Sequence, residues 1–225
     1  MPTWTNGNAI LAEVGTMQLE FASVASATNK SEYAEIALRV YESLKQHEPK
    51  DQLFPCLVNP DSGGMGDQHV TLGSLGDSFY EYLIKYYLIT DKKADNVGKW
   101  HYQIAESVIQ HLGVQVGNDG PSSSNYSYAL YDRSGSQNNN KFDHFACFAS
   151  GMFALDAIHS EDKSVKERHM LVAKGIGKFC RNMYTMTQSQ LPYDMVFFNP
   201  VRSPVPSSLC HCLTIYAFYY RITVK

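Results

Sequence analysis

Two acidic residues set four apart, Asp77 and Glu81, have the spacing of a pair that could do chemistry. In "HVTLGSLGDSFYEYLIKYYLIT" (69–90) a glycine-rich run ends at Asp77, and an aromatic amphipathic segment carrying Glu81 follows. Residues four apart lie on one side of a helix, so both carboxylates could share one side of a helix start. Held there, a carboxylate can move protons to and from a substrate. It can equally do structural work. Asp77 can cap the helix, and Ser78 with Glu81 three residues on matches a capping box. A second acidic couple, Glu13 and Glu20, is seven apart and so lies on nearly one face. His144 stands before an apolar helix, where a lone histidine is ordinarily a satisfied core or capping residue. Cys210-His211-Cys212 is too tightly spaced, and too short of partners, to build a zinc site.

The elements that must position these residues are mostly helices. Ile10, Val14, Met17, Phe21 and Val24 recur as one apolar stripe, which predicts a helix over 9–28 ended by Asn29. Further helices are predicted over 31–47, 77–90, 94–113, 144–158 and 162–185. An apolar segment at 208–222 fits helix or strand. Between helices run two long loops, 48–76 and 117–141; the second holds the alternating "YSYALYD", which reads as a short hairpin strand. Loops of this length in a compact domain are usually functional or disordered. Helices paired by alternating long and short loops suggest an α/α toroid or solenoid rather than a four-helix bundle.

Composition removes several function classes. The chain has 225 residues, 44% hydrophobic and 18% charged, so it can bury a core. A net charge of −3 gives no basic footprint for nucleic acid. No apolar run reaches the ~18 residues a transmembrane helix needs, and the start does not read as a signal peptide. Fifteen tyrosines suit carbohydrate or peptide recognition, or simply helix packing with the hydroxyl in water. Five cysteines, Cys56, Cys147, Cys180, Cys210 and Cys212, leave at least one unpaired within the chain. Two N-x-[ST] triplets, at Asn29 and Asn125, are weak pointers to a secretory compartment.

Four stretches in register, "ILAEVGTMQLEF" (10–21), "LGSLGDSFYEYLIKYYL" (72–88), "HFACFASGMFAL" (144–155) and "FCRNMYTMT" (179–187), resemble the class I α-1,2-mannosidases, glycoside hydrolase family 47. "LVNPDSGG" (57–64) also fits, and the resemblance runs over roughly 1–195, with 196–225 divergent. It implies an all-α fold, part of an (α/α)7 barrel with a short β-hairpin in a long loop. It implies inverting, calcium-dependent removal of α-1,2-linked mannose from high-mannose N-glycans in the secretory pathway. Asp77 then matches an active-site carboxylate, as acid or base. Inverting glycosidases need two carboxyls, one to protonate the leaving oxygen and one to activate water. Glu13 matches a carboxylate that binds sugar hydroxyls or water near the calcium, and His144 a histidine that contacts the sugar. Glu81 and Glu20 stay structural. Leu75 stands where endoplasmic-reticulum-type members carry an arginine that clamps one branch; leucine implies a Golgi-type enzyme accepting more branches. Cys147 and Cys180 match the family's structural disulfide, with two reduced core thiols as the alternative.

One departure matters. Where the family has Arg-Pro-Glu, with the glutamate as catalytic base, this chain reads Arg202-Ser203-Pro204, and no acidic residue follows Asp194. The family's calcium-binding threonine motif has no counterpart here, so no residue is assigned to the metal. The expectation is therefore a partial catalytic domain over 1–225, inactive or nearly so as it stands. The alternatives are a mannosidase-like module that binds high-mannose glycans without cleaving them, and an unrelated α/α toroid.

Overall fold

The computed structural model describes residues 3–198. Seven α-helices carry the fold among these residues: α1 (Leu11–Val14), α2 (Gln18–Thr28), α3 (Glu32–Gln46), α4 (Asp77–Ile89), α5 (Asp95–Leu112), α6 (Ala149–His159) and α7 (Lys163–Thr185). They pack as consecutive pairs, α2 with α3, α4 with α5 and α6 with α7, which is the paired-helix construction of an (α/α) barrel. Most helix limits fall within a residue or two of those expected. The apolar segment 208–222, with Arg202 and the two C-terminal cysteines, lies outside the described residues.

The expected helix over 9–28 is three pieces instead. Ala9–Ile10 is a strand, Leu11–Val14 a single helical turn, and α2 starts at Gln18. The chain breaks at Gly15, where a Cβ would stand 2.6 Å from the Phe79 ring. The apolar stripe is not one buried face, since Met17 and Val24 are exposed. Buried in their place is Gln18, whose side-chain N–H donates to the Ala37 carbonyl at 3.1 Å. The expected helix from 144 begins as a 3-10 turn, His144–Phe148, before α6 proper.

Nine short strands form four small antiparallel sheets among the described residues. The expected hairpin is present: β4 (Gly113–Val116) pairs with β5 (Ser127–Leu130). The others join distant loops: β1 (Ala9–Ile10) with β2 (Leu57–Val58), and β8 (Lys141–Asp143) with β9 (Met195–Phe197). A three-stranded sheet orders β3 (His69–Val70), β6 (Arg133–Ser134) and β7 (Gln137–Asn138). The β3–β6 pairing joins the two long loops into one loop cap, with Leu75 inside it, Asp77 and His144 at its edges and Glu13 outside it in α1.

An aromatic cluster anchors α4. Phe79 meets Phe54, Tyr80 and Trp100 edge to face at 5.2, 5.2 and 5.8 Å, and Tyr41 at 6.3 Å. Such edge contacts add to the large area each ring buries. Tyr80 is fully buried, and its hydroxyl donates to the Phe54 carbonyl at 3.0 Å while accepting the Phe54 N–H at 3.1 Å. The first turn of α4, which begins at Asp77, is thereby packed into the core through Phe79 and Tyr80.

Candidate active site

The segment Thr71–Gly76 is the hub. It runs from β3 into α4 and approaches its neighbours too closely for side chains at two positions. A Cβ on Gly73 would lie 2.4 Å from Asp143 Cβ, and one on Gly76 would lie 2.3 Å from the Thr71 carbonyl oxygen. Between them Leu75 adopts φ +80°, the left-handed region that a non-glycine residue occupies only at a cost. This places the Leu75 carbonyl to accept the Ala12 N–H at 2.9 Å. Ala12 precedes Glu13 in α1, so the α1 turn is fastened to the hub.

Asp77 is the first residue of α4, and its N–H donates to the Gly73 carbonyl at 3.0 Å. Its Oδ1 accepts the Ser78 N–H at 2.7 Å. Oδ2 has no hydrogen bond or ion pair among the described residues. The capping box is not formed. The Ser78 hydroxyl turns to the Ala12 carbonyl at 3.5 Å and to Asp77 Oδ1 at 3.3 Å, while Glu81 pairs with Lys85 at 2.5 Å. Glu13 is exposed, and its carboxylate likewise has no partner among the described residues.

His144 arrives from the other side. Asp143, at the end of β8, accepts the Phe145 N–H at 2.9 Å and so caps the His144–Phe148 turn. The His144 ring meets the Tyr184 hydroxyl at 3.0 Å, and its main-chain N–H donates to the Asp194 carbonyl at 2.8 Å. The Cys147–Cys180 disulfide is present and fastens this same turn to α7, the helix that carries Tyr184. Asp194 lies on the wall of an open, largely apolar concavity of about 990 Å³ lined by Met186, Leu191, Pro192, Tyr193, Met195 and Phe197 among others. Cys56, buried beside the hub, forms no disulfide among the described residues; burial, with Asp67 and Asp132 nearby, pushes its thiol up to about 12.

Two residues that motif reading missed join these parts. Asp143 is buried against Gly73; burial raises its carboxyl above the usual range, opposed by the Phe145 N–H, the Lys141 charge and the Ser74 N–H. Asp132 is 2% exposed and receives the Thr71 hydroxyl. Neither stands in a motif of its own. The available signal was position: Asp143 directly precedes His144, and Asp132 closes the apolar run "YALY". Glu13, Leu75, Asp77 and His144 therefore stand on segments that all meet at Gly73–Gly76. Glu20 is apart from them, bound to the Tyr82 hydroxyl at 2.8 Å.

The family model for glycosyl hydrolase family 47 matches residues 1–212. The chain belongs to glycosyl hydrolase family 47. Members of this family are glycosidases. The chain is 34% identical over 200 residues to mannosyl-oligosaccharide 1,2-alpha-mannosidase mans-2 of Caenorhabditis elegans, covering 87% of this chain and 32% of that protein. It is 36% identical over 188 residues to mannosyl-oligosaccharide alpha-1,2-mannosidase IA of Spodoptera frugiperda, covering 84% and 27%. It thus spans about a third or less of these relatives. Among solved structures it is similar to the alpha-1,2-mannosidase from Trichoderma reesei, with a TM-score of 0.71 at 24% identity over 85% of this chain and 38% of that one. The fold is part of an (α/α)7 barrel.

Family 47 membership suggests a metal. Calcium takes six to eight oxygen ligands. No group of three or more His, Cys, Asp or Glu able to hold a metal exists among the described residues. The residues in hand do not fit a calcium site by themselves, and no step is derived through it.

Proposed function

We propose that this chain carries part of the active site of an α-1,2-mannosidase that trims high-mannose N-glycans by inverting hydrolysis. The observation that supports it best is the convergence of the Glu13, Leu75, Asp77 and His144 segments on one glycine-dependent loop. Asp77, fixed at a helix start by the aromatic cluster, is the acid or base. Its free Oδ2 faces no competing partner, and the positive end of α4 favours an anion there. Glu13 binds sugar hydroxyls or the attacking water, and His144, steadied by Tyr184 and Asp143, contacts the sugar. Leu75 offers no hydrogen-bonding fork, so one branch is not selected over others, as in a Golgi-type enzyme. Calcium and a Golgi location belong to this reading through family resemblance. Residues 1–225 are read as a partial catalytic domain, diverging over 196–225.

A second reading, glycan binding without hydrolysis, is favoured by Arg202-Ser203-Pro204, which puts a serine and proline where the resemblance expects a catalytic glutamate. One experiment separates the two. The purified chain is incubated with a high-mannose oligosaccharide and excess calcium, and α-1,2-mannobiose binding is followed by NMR. Mannose release abolished in Asp77→Asn supports hydrolysis and overturns the expectation that residues 1–225 are inactive as they stand. Binding without release, weakened about tenfold or more by Glu13→Ala or His144→Ala, supports the binding module. Neither binding nor release overturns both. Leu75→Arg, in a releasing protein, is expected to narrow the product pattern toward one branch.

A further inference from the structure

We infer that Asp132 is a positioning residue for the loop that bears Leu75 and Asp77, acting through the hydroxyl of Thr71. Asp132 and Thr71 are each 2% exposed and stand 61 residues apart in sequence. The Thr71 hydroxyl donates its single proton to Asp132 Oδ1. Its oxygen is thereby oriented to accept the Gly73 N–H, at 2.7 Å. The Gly73 carbonyl in turn accepts the Asp77 N–H at 3.0 Å. One chain of hydrogen bonds therefore runs from a buried carboxylate to the residue proposed to do chemistry. A hydroxyl that donates to an anion is a better acceptor for the next N–H, so the links strengthen one another.

The other oxygen of Asp132 faces the Lys141 ammonium and the His69 ring. Lys141 Nζ is 2.9 Å from Oδ2, and His69 Nε2 is 3.9 Å away. The main chain closes the frame, with the Asp132 N–H donating to the Lys141 carbonyl at 2.9 Å. Lys141 starts β8, the strand that ends at Asp143 beside His144. Asp132 thus ties the Asp77 loop to the His144 strand, the two sides of the candidate site, without touching the space between Asp77 and a ligand. A carboxylate this buried is costly unless paired and hydrogen-bonded; here Thr71 hydrogen-bonds Oδ1 and the Lys141 charge pairs with Oδ2, which makes no hydrogen bond of its own among the described residues. The functional consequence rests on the mannosidase reading; the relay itself does not.

The test uses the whole chain and reads amide hydrogen exchange. In Asp132→Ala and Thr71→Val, the Gly73, Asp77 and Ala12 amides are expected to exchange about tenfold faster or more, while α5–α7 amides stay within about twofold. Thr71→Ser keeps the hydroxyl and is expected to restore protection. Unchanged protection at Gly73 and Asp77, or an equal rise throughout α5–α7, overturns the relay, as does failure of Thr71→Ser to rescue. If Asp132→Ala does not fold, the Thr71→Val and Thr71→Ser pair decides alone. α-1,2-mannobiose added to wild type and to Thr71→Val reads the consequence: about tenfold weaker binding in Thr71→Val is expected. Mannobiose that binds neither protein, with the exchange pattern as expected, sinks the mannosidase reading and leaves the relay standing. Equal binding to both, with exchange unchanged, sinks the relay and leaves the reading.

Discussion

Two buried aspartates divide this molecule. Asp132 lies in the loop cap and grips a loop; Asp156 lies between helices and grips helices. Asp156 is fully buried in α6, with His101 Nε2 of α5 at 2.6 Å and His169 Nδ1 of α7 at 3.2 Å. The other His169 nitrogen meets Glu106 of α5 at 2.9 Å, and Arg168 pairs with the same carboxylate. The cluster uses residues from three helices and leads to no loop of the candidate site. Similar chemistry is spent on two ends. Around Asp156 it fixes how rods pack, and around Asp132 it fixes how a loop is presented. Charge and burial do not distinguish them; what lies at the far end of each hydrogen-bond chain does.

The contrast is broken most directly at Asp156. Removing one partner of a buried ionic cluster costs about 3–5 kcal/mol, so Asp156→Ala should lose that much in urea unfolding and loosen α5–α7 as a unit. A variant that instead freed only the Gly73 and Asp77 amides would erase the distinction. The pH dependence follows from sign. Burial alone would raise the Asp156 carboxyl, but His101 and His169 outweigh it and hold it below the usual carboxylate range. A group lowered on folding contributes stability that is present above its unfolded value, about 4, and is lost as pH falls through its folded value. Wild type should therefore lose stability below about pH 4, and Asp156→Asn should flatten that acid limb.

The disulfide joins the two regions. Cys147 sits in the turn that starts at His144, and Cys180 in the same helix as His169, 33 residues on. Closing a loop of that size contributes about 3–4 kcal/mol through the unfolded state. The Cys147→Ala, Cys180→Ala double variant should lose about that much stability in denaturant titration. The His144 amide should lose protection before those of α5. Equal loss everywhere would mean that the bond serves the helices alone.

Much of the helical frame was legible in the sequence, because 3.6-residue periodicity is a local signal. Helices α3, α4, α5 and α7 announced themselves that way. The break before α2 did not. It depends on Gly15 lying against Phe79, 64 positions away, and on a buried Gln18 that apolar patterning counts as surface. The two-residue strands were illegible for a related reason: β1–β2 and β3–β6 exist because distant loops meet, and two residues carry no period. Asp77, Glu13, Leu75 and His144 came from motif resemblance. Asp132 and Asp143 match no motif, and their places beside "YALY" and His144 do not reveal that their partners are Thr71 and Gly73.

Leu75 tests the loop side at smaller scale. A leucine at φ +80° carries a backbone cost of roughly 1–3 kcal/mol. A β-branched residue is worse there, and glycine carries no such cost. Leu75→Val should therefore lose about 1–2 kcal/mol, and Leu75→Gly less, although glycine deletes more side chain. The opposite ranking would show that the side chain's packing, not the backbone, holds the loop.

The smallest effect is expected at Glu81, four residues along α4 from Asp77. Glu81 is not a cap, and its bond to Lys85 is an i,i+4 pair with both side chains partly exposed. Solvent screening limits such pairs to about 0.3–0.5 kcal/mol. Glu81→Gln should cost no more than that in thermal or urea unfolding, and about 0.5 M salt should remove most of the difference. Asp156 and Glu81 would then mark the two ends of one scale. A carboxylate shut in by two histidines is worth several kcal/mol because water cannot replace its partners; one facing solvent is worth tenths because water can. A loss above about 1 kcal/mol in Glu81→Gln, unmoved by salt, would place Glu81 with the buried networks and require a partner beyond Lys85.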